Sequence, residues 1–208
     1  MNLAQKERIA LASTFREVGA DAPTLCEGWT AKDLLVHLLI RENRPDAIGG
    51  LFIGKLQPRL DRVTHEYETR PFEELICEWE KGASTWNPVK YLDQFVNVSE
   101  HFVHHEDVLR ARDAWEPRSL SPSDERELQR TIKMMSRPML RKSQARVIME
   151  SPHGWSTIAG ARQKDGQPIL PDVRVYGEPG ELLLWLFGRE AVRVVFDGDS
   201  SLIERTAI

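Results

Sequence analysis

The chain has few of the features that mark secreted, membrane-spanning or nucleic-acid-binding proteins. Only two of its 208 residues are cysteines, Cys26 and Cys77, which is too few for a disulfide framework. No apolar run approaches the roughly 20 residues of a membrane span, and the first residues lack the apolar segment of a signal peptide. The net charge of −4 argues against nucleic acid or an anionic membrane as a bulk partner. These absences predict a cytoplasmic globular protein.

The most informative segment spans positions 91–115, where neither glycine nor proline occurs. Its apolar residues have a helical period and lie on two opposite faces, so the predicted helix is buried on both sides. Glu100 and Asp107 occupy positions where core residues are expected. Because burying an unpaired carboxylate is costly, the pattern predicts a positive charge beside them.

A metal ion is the simplest source of that charge. Glu100 and His104 are four residues apart, about 40° around a helix, so both side chains can reach one point. Asp107 lies one turn beyond His104, where it can bind the imidazole from behind or supply another ligand. An ordinary Glu–His pair on a solvated helix face would have the same spacing.

A second predicted helix carries another histidine among apolar residues. Thr30 and Asp33 form the capping-box pattern that begins a helix, and His37 is the only polar residue among positions 34–40. The helix and His37 are therefore predicted to be buried. Such a histidine is either a core residue that bonds to a carbonyl or carboxylate, or a metal ligand that converges with the Glu–His pair inside a helical bundle.

Two imidazoles and one carboxylate, from His37, Glu100 and His104, form a donor set that suits zinc or another first-row divalent ion. Three protein ligands leave one coordination position open, which is typical of catalytic rather than structural zinc sites. His101 and His105 form a rival pair with the same spacing, but they point about 100° away from the stripe that carries Glu100. Neither cysteine belongs to the donor set. Cys26 is open to two interpretations, as a nucleophile or as a small buried apolar residue.

The predicted secondary structure changes near Lys142 and Ser143. The preceding residues are predicted to form helices, whereas the following ones form short β-like runs between prolines and glycines, with one helix that begins near Pro179. This order predicts an α+β protein, with a helical domain over residues 1–142 and a small α+β domain over residues 143–208. The basic residues near the boundary, which either bind an anion or form a solvated face, are Arg137, Arg141, Lys142 and Arg146.

Three segments, taken in order and spacing, resemble the mycothiol-dependent maleylpyruvate isomerase family of the DinB-like metalloproteins. They are residues 29–38, Glu100-xxx-His104-xx-Asp107, and a β-rich tail with Gly177-Glu178-Pro179 and residues 184–189. The resemblance implies a DinB-like four-helix bundle followed by a small domain related to sterol carrier proteins. It also implies that His37, Glu100 and His104 are the metal ligands, with zinc the usual metal. The family includes isomerases and S-transferases that use mycothiol.

Two functional interpretations follow. In the first, mycothiol or another low-molecular-weight thiol occupies the open metal position, loses its proton and attacks a small electrophile. The protein would then be a metal- and thiol-dependent isomerase or transferase, and Arg189 is the candidate that holds a substrate carboxylate. An arginine at the end of a helix is, however, also favoured by the helix dipole. In the second interpretation, the protein is a non-catalytic module that binds a metal and a small ligand.

Overall fold

The computed structural model describes residues 1–48, 57–82, 94–163, 166 and 169–206. The chain divides into two compact units, Met1–Trp115 and Glu116–Ile208. The first unit is helical and the second contains a four-stranded sheet with helices, so the predicted α+β class is confirmed. Among the described helices, none has both the length and the apolar character that crossing a membrane requires.

The described part of the first unit consists of helices around one apolar core. They are α1 (Leu3–Val18), α2 (Ala31–Asn43), α3 (Pro45–Ile48), α4 (Gln57–Glu68), α5 (Phe72–Lys81) and α6 (Gln94–Leu109). Helix α1 packs along α6 and against α5, and α2 packs against α4 and α5. The leucines of α2 pack in this core with Phe15, Ile76 and Trp79, all of which are fully buried.

Local sequence signals fix several of the helix ends. The side chains of Asn2 and Thr30 cap α1 and α2, each in a capping box. Gly19 ends α1 in a backbone conformation with φ of +82°, which glycine adopts without strain. Pro71 is the N-cap of α5.

Helix α6 is the helix predicted in the segment between positions 91 and 115. Its described side chains are buried on nearly every face. Its described part begins at Gln94, and positions 91–93 of the prediction lie outside the described residues. Phe102, His101, His105 and Asp107 are all at most 3% exposed. The polar residues of α6 must therefore find partners inside the protein.

The second unit combines a mixed sheet with two α-helices and a short 3-10 helix (Ser200–Leu202) in its described residues. Its elements are α7 (Pro122–Met139), β1 (Arg146–Glu150), β2 (Ser156–Gly160), β3 (Asp172–Tyr176), α8 (Pro179–Leu186) and β4 (Val195–Asp197). The strand order is β2-β1-β3-β4, with β1 and β3 parallel and the other neighbours antiparallel. Helix α8 is buried along its whole length and packs against α7, which also packs against β2.

The division between the compact units falls at residues 115 and 116, which differs from the boundary predicted between Lys142 and Ser143. Helix α7 precedes that predicted boundary, yet it groups with the sheet because it packs against α8 and β2. The predicted ranges 1–142 and 143–208, taken as independently folding domains, stay a prediction.

Candidate metal centre

The three side chains predicted as metal ligands lie together, one on α2 and two on α6. One ligand atom from each of His37, Glu100 and His104 lies within 4.8 Å of the other two. The ring centroids of the two histidines are 5.5 Å apart, and His104 Nε2 lies 3.4 Å from Glu100 Oε2. A tetrahedral zinc ion with bonds of about 2.1 Å needs donor atoms roughly 3.4 Å apart. The arrangement is therefore close to that of a three-ligand site.

A cleft of about 540 Å³ opens onto this group at His37. The sequence predicts that His37 is buried, but its side chain is only half-buried, since it forms part of the cleft wall. The ring of Trp29 lies 5.2 Å from the ring of His37, measured between centroids. The other described residues that line the cleft are Gly28, Asp33, Val36 and Ile40, and, from α4, Gln57, Leu60, Asp61, Thr64 and Glu68.

Burial and neighbouring charges set the protonation states of two of the predicted ligands. The pKa of His37 is lowered to about 4, mainly by burial and in part by the positive charge of His104, against the opposing effect of Glu100. Burial raises the pKa of Glu100, but the hydrogen bond with His104 and the charge of Arg41 outweigh burial and bring it down to about 2. Arg41 Nε lies 3.4 Å from Glu100 Oε2. A neutral imidazole and an ionised carboxylate are the forms that bind a metal.

His104 is held from behind by a buried carboxylate. Its Nδ1 lies 2.9 Å from Oδ2 of Asp107, which is fully buried. Burial lowers the pKa of His104, but its hydrogen bonds with Asp107, Cys26 and Glu100 raise it well above the ordinary value. An ion at Nε2 would therefore displace a proton, while Asp107 would hold the remaining one on Nδ1. A carboxylate behind a metal-binding imidazole commonly has this role.

Cys26 has a role in this site that its sequence position does not reveal. Its Sγ donates to Asp107 Oδ2 at 3.3 Å, and the half-buried side chain also packs against the apolar core. Ligand atoms of Cys26, His104 and Asp107 lie within 4.8 Å of one another, so they form a second, overlapping group of donors. Cys26 and Asp107 are separated by 81 positions in the sequence, so no local spacing predicts the contact.

The rival pair, His101 and His105, is occupied by other partners. His101 lies 2.9 Å through Nδ1 from the carbonyl oxygen of Ala4 and 3.0 Å through Nε2 from Oε1 of Glu42. His105 lies 2.7 Å through Nδ1 from Oε2 of Glu7, and its Nε2 lies 2.9 Å from a threonine hydroxyl of α1. Both ring nitrogens of each histidine thus have protein partners, which supports the lower rank of this pair as ligands.

Arg189, the candidate for holding a substrate carboxylate, lies in the second unit just after α8. Its Nη1 donates to the carbonyl oxygen of Phe187 at 2.9 Å, and its side chain is half-buried. This contact satisfies a carbonyl at the end of α8, which is the role that the helix dipole favours. Its action on a substrate stays a prediction.

Replacing Asp107 with asparagine is expected to weaken zinc binding about 10–100-fold. The amide is nearly the same size but lacks the charge that orients His104, so the fold should persist. A competition titration with a chromophoric chelator would give the affinity, and circular dichroism would check the fold. Asp113→Asn, which removes an exposed carboxylate after the same helix, is the matched control. Equal affinity in Asp107→Asn and the unmodified protein would limit Asp107 to a structural role.

The fold and these side chains define an α+β protein with a helical unit that carries a candidate divalent-metal site. Two crystal structures of mycothiol-dependent maleylpyruvate isomerase, one of them of a single-residue variant, have a similar fold, with TM-scores of 0.58 for the variant and 0.55 for the other. In both comparisons, 14% of residues are identical, and the similarity covers 93% of this chain and 90% of that chain. No protein-family model matches the chain, and no curated protein matches its sequence. The predicted resemblance is thus confirmed as a similarity of fold over nearly the whole chain.

Proposed function

We propose that this protein is a cytoplasmic enzyme that binds a divalent metal ion and uses a low-molecular-weight thiol to isomerise, or to transfer the thiol to, a small electrophile. The observation that carries the proposal is the convergence of His37, Glu100 and His104 beside an open cleft. The similarity in fold to a mycothiol-dependent isomerase supports the thiol class.

The donor set fits zinc or another first-row divalent ion. Such an ion, when bound, would supply an open coordination position and lower the pKa of a thiol placed there. His37 and Glu100 would enter the site in the protonation states that ligation requires, because their pKa values lie at about 4 and about 2. Asp107 would keep the proton of His104 on Nδ1 and leave Nε2 as the ligand atom.

The cleft at His37 favours a thiol that is rich in hydroxyl groups and carries little negative charge. Asp33, Asp61 and Glu68 line it, and carboxylates accept hydrogen bonds from hydroxyls but repel other carboxylates. The indole of Trp29, which is 38% exposed, offers an amphipathic face for packing. Mycothiol should therefore be preferred over glutathione, which has two carboxylates.

The second candidate is a non-catalytic module that binds a metal and a small ligand. It is favoured by the fact that both aspartates of the cleft already have partners. Asp33 Oδ2 accepts from the backbone nitrogen of Thr30 at 2.8 Å, and Asp61 Oδ1 accepts from the side chain of Gln57 at 3.0 Å. Both carboxylates are thus engaged in bonds within the protein. An enzyme would therefore depend on the thiol and the metal-site residues for its chemistry.

Turnover assays with the zinc-loaded protein test the proposal. Maleylpyruvate and a panel of aryl and alkyl electrophiles would be offered with mycothiol, with glutathione and without thiol. We expect turnover that needs both metal and thiol, that is fastest with mycothiol, and that is lost in His37→Ala but kept in the control His65→Ala. Activity without thiol or without metal would contradict the mechanism. No activity, together with a cobalt absorption spectrum that no thiol changes, would favour the binding module.

A further inference from the structure

We propose that the second unit contains a binding site for a small phosphate monoester with a short apolar part. The site is a cleft of about 730 Å³ between the end of α7 and the edge strand β2. Arg137, Arg141 and Arg162 line it together with the apolar side chains of Ile158, Ala159 and Ala161. Its volume is in the range of clefts that bind small organic molecules.

The three arginines concentrate positive charge in one cleft. Within the part of the chain that the structure describes, no carboxylate pairs with Arg137, Arg141 or Arg162. Nearby basic residues differ, because Lys142 Nζ lies 3.4 Å from Glu204 Oε1 and the Arg146 Nε lies 3.3 Å from Asp172 Oδ1. The whole chain has more acidic residues, 32, than basic ones, 28. Acidic residues are therefore not scarce in the protein, and a cleft whose arginines pair with none of the described carboxylates is suited to an anionic ligand.

The basic residues that lie together in the structure differ from the basic cluster that the sequence indicates. Arg137 remains in it from the last turn of α7, and Arg141 from the turn that follows this helix. Lys142 and Arg146 are engaged in ion pairs, and Arg162, which follows β2, takes their place in the cleft. The packing of α7 against β2 brings together residues that are more than 20 positions apart.

The chemistry of the cleft favours phosphate over a single carboxylate. A phosphate monoester carries about two negative charges at neutral pH and three strong acceptor oxygens, so it can engage three guanidinium groups at once. The planar guanidinium fork binds phosphate oxygens in pairs. Ile158 is 50% exposed and lies in the same cleft, where it can cover an apolar part of the ligand. The site uses no residue of the metal centre, so it does not depend on the function proposed above.

Calorimetric titration of the full chain with phenyl phosphate tests the proposal. We expect saturable binding to one site, weakened about tenfold in Arg137→Gln and in Arg141→Gln, as is usual for the loss of one charged hydrogen bond. Arg126→Gln is the matched control, because Arg126 is an exposed arginine of α7 that does not line the cleft. Its affinity for phenyl phosphate should be unchanged. Thermal unfolding would confirm that each variant is folded.

Further titrations separate this site from other modes of anion binding. Inorganic phosphate should bind more weakly than phenyl phosphate, because it lacks the apolar part, and succinate should also bind more weakly. Binding of phenyl phosphate should persist in His37→Ala, since it does not involve the metal centre. The proposal fails if phenyl phosphate does not saturate, if Arg126→Gln weakens it as much as Arg137→Gln, or if His37→Ala abolishes it. Tighter binding of succinate would overturn the assignment to phosphate.

Discussion

Protein with His37 replaced by alanine is expected to be purified without zinc and to bind it more than about 100-fold more weakly. Loss of a residue that only orients a metal ligand commonly weakens metal binding about 10–100-fold. Loss of the ligand itself should weaken it more. His37 is also the one ligand of the predicted set that α2 supplies, so its loss leaves only the pair on α6. Elemental analysis of protein purified without added metal would give the zinc content, and chelator competition would give the affinity. His65→Ala, at a histidine whose side chain is 78% exposed, should behave like the unmodified protein.

The same experiment distinguishes the two overlapping donor groups. If an ion used Cys26, His104 and Asp107, Cys26→Ser would cost most of the affinity and His37→Ala would cost little. The cobalt-substituted protein would then show a sulfur-to-metal charge-transfer band that disappears in Cys26→Ser. Zinc binding that survives His37→Ala would therefore contradict the predicted set and favour the group that contains Cys26.

Replacing Arg110 with methionine is expected to lower the free energy of unfolding by about 3–5 kcal/mol. Arg110 Nε donates to Glu106 Oε2 at 2.5 Å, and the two residues are 3% and 1% exposed. The guanidinium also lies over the ring of Trp115, with Cζ 4.4 Å from the ring centroid. Methionine fills similar space but removes the cation that Arg110 supplies to a buried carboxylate, which is the costly change. Denaturation in guanidinium chloride would measure the loss.

Two controls show whether the buried charge causes this loss. The double variant Glu106→Gln/Arg110→Met should recover part of the stability, because it removes both charges together. Arg112→Met removes an arginine whose ion pair with Glu17 is exposed, and such pairs are worth about 0–1 kcal/mol. A loss below about 1 kcal/mol in Arg110→Met, the size of an exposed pair, would mean that other contacts satisfy Glu106.

The parts of the structure that were predictable are those that short segments of sequence encode. Thr30 and Asp33 are three residues apart and identify the start of α2, because the capping box depends only on that spacing. Glu100 and His104 were predictable as neighbours for a similar reason, since both lie on one helix. Their approach to His37 required a further assumption, that polar residues on buried helices face one another.

The features that were not predictable depend on contacts between segments that are distant in the sequence. The bond from Cys26 to Asp107 and the meeting of Arg162 with Arg137 depend on how separate elements pack, and no periodicity within one element specifies that. The grouping of α7 with the sheet has the same cause, because an amphipathic helix shows which face is buried but not against which partner. The i,i+4 spacing of Glu106 and Arg110 is visible in the sequence, whereas their nearly complete burial is not.

The bonds that His101 and His105 make to α1 and to Glu42 fix the rotation of α6 about its own axis. These two histidines lie on one side of the helix, and Glu100 and His104 lie on another. A turn of α6 that moved the predicted metal donors out of line would also break the ring-nitrogen contacts of His101 and His105. The angular position of these side chains is thus set when the protein folds. An ion that binds later would meet side chains that are already ordered, so its binding would cost little further conformational entropy.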